Sequence, residues 1–307
     1  MKILHVGLMV GNEPYDKGLD KELKAQSTEY RALQLKGDDL NQRILMTAHE
    51  FMPDIIFMQI QREGIVTVDT VKTLHEKGFF VINWTGDVRS PIPQWYFDLA
   101  PYCVTSFSNM NDVLEMREFG LKSEFLQIGY DPQVFYKKEG VYKDLDIVFM
   151  GNNYRGMFPL SDFRVEMVTR MKKEFGERFR VYGNGWECSS GDLNGNQDAE
   201  NDIYNRAKIG INLSHFNYSH YSSDRMYRLM GSGCLCLSHF YPNITEDFDI
   251  TTIGLWEGID DLIKACKMYL SAHDEMLEIM GVEGMKYVQN FYSYKQMAEN
   301  IIKMKQL

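Results

Sequence analysis

The sequence predicts an α/β protein of two similar halves, each a parallel sheet covered by helices. Three observations carry this. Short apolar runs alternate with amphipathic helical stretches along the chain. The pattern breaks at a Gly-, Asp- and Pro-bearing stretch and a Lys/Tyr-rich linker near 131–143, then restarts. The length, 307 residues, is long for one core and comfortable for two.

In the first half, Lys2 to Val10 reads as a buried strand that ends at Gly11-Asn12, followed by a long polar segment. Asp38 to Phe51 reads as a helix because Leu40, Ile44, Leu45 and Ala48 share one face. Asp54 to Gln59 is a strand, Val68 to Lys77 a helix closed by Gly78, and Phe79 to Trp84 the next strand. Cys103 to Phe107 is another strand, and Asn111 to Phe119 a helix stopped by Gly120. In the second half, Leu145 to Met150 is a strand ending at Gly151-Asn152-Asn153, and Asp162 to Phe175 a helix. Arg178 to Tyr182 is a strand that runs into Gly183-Asn184-Gly185-Trp186. Ser190 to Asn201, rich in Gly, Asn and Asp, reads as loop, and Ala207 to Leu213 as strand. Two helices finish the chain, Gly258 to Ala272 and Asp274 to Gln306, the latter broken near Tyr292-Ser293.

Composition narrows the function classes. Hydrophobic residues make up 44% and charged residues 25%, which fits a folded globular chain and argues against disorder. The formal charge is −10, and it is spread evenly: residues 1–140 hold 15 basic against 20 acidic side chains, and the remainder 18 against 23. An even negative surface argues against a general nucleic-acid binder. No apolar run reaches the ~18 residues of a membrane span, and Met1 to Gly7 lacks the features of a signal peptide, so a cytoplasmic protein is expected. The five cysteines have no metal-ligand spacing, and Cys234 and Cys236 fit core packing.

The most informative stretch runs from Ser222 to Leu237. Ser222, Ser223 and Asp224 are three good N-cap residues, the helix they open closes on glycine, and an apolar strand follows. A helix start presents unpartnered N–H groups and the positive end of a dipole. Arg225 and Arg228, three apart, share a face near that start. Fixed amides plus two guanidinium groups make a diphosphate clamp, against the plainer reading of a capped surface helix with two solvated arginines.

Several segments resemble GT-B glycosyltransferases. Gly129-Tyr130-Asp131-Pro132-Gln133-Val134-Phe135 resembles their inter-domain G-x-D-P-x-x-F, and Ile147 to Asn152 the strand and loop that open their nucleotide-binding domain. Ser223 to Leu237 resembles their S-x-R-x-F-E-x-x-x-x-G helix and strand. Glu246-Asp247-Phe248 and Phe291-Tyr292-Ser293-Tyr294 resemble two later motifs. The closest pattern is the group related to spore-maturation protein CgeB, near the family 1 and 4 transferases. The similarity covers about 125–300 well and the first 125 residues only in tempo. One departure is plain: Arg228 stands where relatives often carry a glutamate that binds the donor ribose. His220 stands eight residues earlier, so the E-x7-E pair is absent.

The resemblance implies a GT-B fold, two Rossmann-like domains facing a central cleft. Residues 1–130 would bind the acceptor, 131–285 the sugar nucleotide, and 286–307 would pack back toward the first domain. It implies transfer of a sugar from a nucleoside-diphosphate sugar, a UDP-sugar, to an acceptor hydroxyl. Glycan, protein, small molecule and modified DNA base all remain open as acceptor. The expected donor-binding residues are Gly11, Asn152, Arg155, Gly183, His215, Ser222, Ser223, Asp224, Arg225 and Arg228. Asp87, in a polar loop after a strand, is the expected general base, against a plain turn cap before Pro91. No metal and no cofactor are expected: Asp144/Asp146 and Asp247/Asp249 flank apolar strands, the histidines lack metal spacing, and no GxGxxG follows the first strand. Two rival readings stay open: a sugar-nucleotide epimerase or hydrolase on the same fold, and a catalytically silent binding or scaffold protein.

Overall fold

The computed structural model describes residues 1–7, 9–10, 13–14 and 17–306. The chain divides into two compact units, Met1–Gly129 with Tyr294–Leu307, and Tyr130–Ser293. It therefore passes between them twice, at 129/130 and at 293/294.

In chain order the first unit contains β1 (Lys2–Gly7), a two-residue ladder of β2 (Met9–Val10) with β3 (Glu13–Pro14), α1 (Lys17–Ala25) and β4 (Glu29–Gln34). There follow α2 (Leu40–Phe51), β5 (Ile55–Met58), α3 (Val68–Glu76), β6 (Val81–Thr85), α4 (Gln94–Leu99), β7 (Val104–Phe107), α5 (Met110–Glu118) and β8 (Ser123–Phe125). Six of these strands form a parallel sheet in the order β4-β1-β5-β6-β7-β8. The apolar runs are buried on both sides, as parallel strands between helix layers must be. On β1, Leu4 and Val6 join the core under α2 to α5, while Ile3 joins a second core on the other face.

That second core explains why the chain returns. The final helix α12 (Tyr294–Lys303) contributes Met297, Ala298 and Ile301 to it, and Met304 follows, all against Ile3, Ile55, Phe57 and Ile82. Each large side chain so buried stabilises by about 1.5–3 kcal/mol.

The second unit contains β9 (Leu145–Met150), α6 (Ser161–Phe175), β10 (Phe179–Tyr182), α7 (Gln197–Arg206), β11 (Ala207–Asn212), α8 (Asp224–Gly231) and β12 (Leu235–His239). It ends with α9 (Ile244–Asp247), β13 (Gly254–Trp256), α10 (Ile259–Ser271) and α11 (Asp274–Phe291). Its parallel sheet runs β10-β9-β11-β12-β13. The chain leaves β9 to one side for β10 and returns on the other for β11, so the loops after these strands diverge at a switch point, where open α/β sheets bind ligands.

Placement of α8 depends on one glycine. A Cβ on Gly210 of β11 would lie 2.1 Å from Leu229 Cδ1, so the missing side chain lets the helix settle against the sheet. Among the described residues no helix is long and apolar enough to cross a membrane.

Two of the elements that differ from the sequence expectation are Glu29–Gln34 and Gln197–Arg206. Glu29–Gln34 is a strand within the segment read as polar, an edge strand whose half-exposed faces mute its alternation. Gln197–Arg206 is a helix where loop was expected, because Asn196 caps it by accepting the Ala199 N–H at 3.1 Å. The long terminal helix is indeed interrupted at Tyr292-Ser293, between α11 and α12.

Candidate functional site

The loops after β9 and β10 are laced together. Asn152 Oδ1 accepts the Asn184 N–H at 2.9 Å, Asn153 N–H bonds Asn184 O at 2.9 Å, and Trp186 Nε1–H bonds Gly151 O at 2.6 Å. Gly183, at φ 132°, lies in this seam; a Cβ there would meet Gly151 O at 2.6 Å. The glycine therefore allows a contact between backbones that no other residue would permit.

Beside the seam lies a cavity of about 250 Å³ within the second unit, walled by the β9 and β10 loops, the 192–195 turn, and helices α7 and α8. Asn152, Gly183, Asp224, Arg225 and Arg228 line it, five of the residues expected from sequence. Glu200, Asp192 and Asn194 line it as well and were not foreseen. Glu200 belongs to the segment read as loop, although Asn196 followed by Asp198 and Glu200 carries the cap and acidic first turn of a helix start.

The two arginines have different partners. Arg228 lies 2.7 Å from Asp224 Oδ2 and 3.4 Å from Glu200 Oε2, and covers the Phe135 ring at 5.2 Å. Its charge is answered within the protein. Among the described residues no carboxylate lies within ion-pair distance of Arg225, which lines the cavity and acts on Asp224 and Glu200 only through space. The carboxylates respond to this field. Burial pushes Glu200 up against the pull of Arg228, whereas for Asp224 the arginines outweigh burial and hold the carboxyl below its ordinary value.

The other expected residues lie elsewhere. Arg155 is exposed, in a left-handed turn (φ 48°) with its N–H on Asn153 Oδ1, and does not line the cavity. Ser222 is buried with its hydroxyl on Met226 Sδ at 2.9 Å, facing into its own helix. Ser223 is the N-cap of α8, with its N–H on Ser214 Oγ at 3.3 Å; its side chain makes no cap bond. His215 follows β11 and meets Arg164 rather than the cavity, Nε2 lying 2.9 Å from Nη1. Gly11 lies outside the described residues.

Asp87 belongs to the first unit, on the loop after β6, and is 71% exposed, with Arg89 Nη2 3.5 Å away. Arg89 also donates to Gln61 Oε1 at 3.1 Å and Thr85 Oγ1 at 3.0 Å. Beneath it Asp112 Oδ2 accepts the Arg89 N–H at 2.9 Å and Asn109 Nδ2–H at 2.8 Å; burial pushes its carboxyl up to about 6. The loop that holds Asp87 is thus anchored from below by a buried acid.

The paired aspartates have structural partners. Arg206 takes Asp144, Arg178 takes Asp146, His220 takes Asp247, and Thr251 takes Asp249. Among the described residues no group of three or more His, Cys, Asp or Glu side chains could hold a metal ion.

Two parallel-sheet α/β units, with a polar cavity at the strand ends of the second, have the architecture of the GT-B fold. Comparison with known proteins agrees. Residues 164–303 match the family described as glycosyl transferase-like. No curated protein matches it significantly in sequence. Among solved structures it is similar to sucrose-phosphate synthase from Thermosynechococcus elongatus, with TM-score 0.66, 10% identity, and coverage of 99% of this chain and 98% of that one. It is also similar to HepE from Anabaena in complex with UDP-glucose, with TM-score 0.62, 8% identity, and coverage of 100% and 99%. A third similar structure, described in a study of glycosyl transfer with retention by trehalose-6-phosphate synthase, has TM-score 0.64, 9% identity, and coverage of 99% and 98%.

Proposed function

We propose that the chain is a glycosyltransferase that takes a sugar from a UDP-sugar and passes it to an acceptor hydroxyl, with no metal ion. The observation that carries this reading is the cavity of the second unit, which Arg225 lines at the start of α8 with no carboxylate within ion-pair distance among the described residues. An anionic leaving group needs fixed positive charge in place before the bond breaks, and a guanidinium beside helix amides supplies it. Similarity to HepE, whose structure holds UDP-glucose, supports the choice of base.

In this mechanism the diphosphate lies against Arg225 and the first turn of α8. The nucleoside occupies the space beside Asn152, Gly183 and Glu200. As the anomeric C–O bond to the diphosphate breaks, Arg225 takes up the growing negative charge. Asp87 accepts the proton of the acceptor hydroxyl as the new glycosidic bond forms. Positive charge from arginine takes the place that a divalent ion holds in metal-dependent transferases.

A thermal-shift screen against UDP, GDP, CDP, ADP and dTDP, with and without magnesium or manganese, tests this. The expected result is a clear rise with UDP that is indifferent to metal and to EDTA. A rise with no nucleotide would remove the donor reading and favour a silent scaffold. Consumption of a UDP-sugar without any added acceptor would favour the epimerase or hydrolase.

A further inference from the structure

The first unit carries a cavity of its own, of about 300 Å³, at the edge of its sheet away from the Asp87 loop. Val81 opens β6 and Val104 opens β7, and both line it, whereas Asp87 follows the opposite end of β6. Its wall is mainly apolar, with Phe79, Phe80, Tyr102 and Leu121 each only partly covered by the rest of the chain. A dry cavity of about 150 Å³ already admits benzene, so this one has room for a phenyl ring.

Such a ring stands next to it on the same chain. Phe119 immediately precedes Gly120 and Leu121 of the cavity wall, and at 68% exposure its ring is in water. Its centroid lies 5.1 Å from that of the half-buried Phe97, and Leu114 on α5 is 50% exposed. Exposed apolar surface with a polar rim marks an interaction site.

The charges beside the ring and beside the cavity are of opposite sign. Glu118 precedes Phe119, and Glu115 lies about one turn earlier on α5. Lys122 lines the cavity, and Lys77 stands just before Gly78 and the cavity residue Phe79. All four are exposed, and among the described residues none has an ion-pair partner.

We propose that this face of the first unit is a self-association surface, on which a second copy of the chain seats its Phe119 in the cavity beside Phe80 and Tyr102. In a two-fold dimer one patch meets itself, so a knob and a hole side by side fill each other twice. The same operation sets Glu115 and Glu118 of each copy against Lys77 and Lys122 of the other, which answers four charges that a single chain leaves unpaired. The Asp87 loop, at the other end of β6, stays clear of the contact. The inference is independent of the donor and acceptor readings.

Sedimentation velocity of the full chain at several concentrations tests it. The wild type is expected to show a monomer–dimer equilibrium with Kd of order 10 µM, the strength of a small interface. Phe119→Ala should weaken it by about a hundredfold, because each dimer loses two aromatic anchors. Phe119 is exposed, so the variant is expected to fold, which circular dichroism checks. Lys77→Glu with Lys122→Glu should weaken dimerisation by about tenfold or more, and adding Glu115→Lys with Glu118→Lys should restore it to within about threefold. A benzophenone side chain at position 119 should cross-link to the Phe79–Phe80 or Tyr102–Val104 segment of the other copy. A wild type that stays monomeric at about ten times the expected Kd would overturn the proposal. So would a dimer that survives Phe119→Ala unchanged, a charge reversal that the opposite reversal does not rescue, or a cross-link that maps to another face.

Discussion

Arg228 and Glu200 meet at 3.4 Å in the wall of the cavity, the arginine from α8 and the glutamate from α7. The glutamate is 8% exposed, so its charge depends on this partner and would be costly without it. Arg228→Ala is therefore expected to destabilise the fold by about 1.5–3 kcal/mol, the usual cost of losing a hydrogen bond to a charged group. The joint change Arg228→Leu with Glu200→Leu should recover the part owed to Glu200, since replacing both members of a pair is close to neutral, while Asp224, at 2.7 Å from Arg228, keeps its share of the cost. Denaturant melts of the two single variants and the double one check this. Additive losses would mean that the pair is not coupled.

Arg225 presents the opposite case. Because Asp224 and Glu200 have Arg228 within ion-pair distance and feel Arg225 only through space, Arg225→Ala should leave the melting temperature within a few degrees of wild type. Affinity for UDP should fall by about 1.5–3 kcal/mol, roughly ten- to 150-fold, if the guanidinium bonds phosphate. Calorimetry at low salt decides. Unchanged affinity would take the phosphate away from α8.

Asp87 should separate binding from chemistry. It lies in the first unit, whereas the cavity belongs to the second, so Asp87→Asn is expected to leave UDP affinity intact. Transfer to acceptor should drop by about 10²–10⁴, the range for loss of a general base. A normal transfer rate would assign the base elsewhere.

Asp112 gives the fold a pH dependence. Its folded value is raised to about 6 from an ordinary 3.8, chiefly by burial, so the folded chain keeps a proton that the unfolded chain releases. The stability from this group is complete below 3.8 and is lost as pH rises through about 6. Asp112→Asn keeps an oxygen for the Arg89 N–H and removes the titration. Relative to wild type it should gain of order 1–2 kcal/mol at pH 7.5 over its standing at pH 4.5, read from melts at both values. Parallel pH profiles would show that Asp112 does not titrate with folding.

Much of this was legible beforehand because buried parallel strands announce themselves. Leu145 to Met150 is a strand with the bounds its apolar run implies, and the α8 helix and its following strand stand where capping and hydrophobicity place them. What escaped was structure with a weak pattern. β4 is an edge strand with charged and polar positions on both faces, and α7 begins inside a Gly/Asn-rich run. The cavity followed the same division. Asn152, Gly183, Asp224, Arg225 and Arg228, beside glycine turns or on α8, line it, whereas Ser222 and Ser223 at the cap do not. Glu200 and Arg164 were not foreseen, because their importance comes from which charges surround them in space. Arg164 sits in the first turn of α6 among Phe163, Val165 and Val168, and spacing along the chain does not tell a cation turned inward from one in solvent.

The fold of α12 onto the first sheet sets an order of events on the ribosome. Tyr130–Ser293 is one continuous segment and has all its parts once residue 293 has emerged, while Met1–Gly129 still awaits the helix that covers Ile3, Phe57 and Ile82. The half made first is thus finished last. A chain stopped after Ser293 is expected to release a protease-resistant second unit joined to a first unit that is readily cleaved, and early exposure of that apolar face is the hazard this topology carries during synthesis.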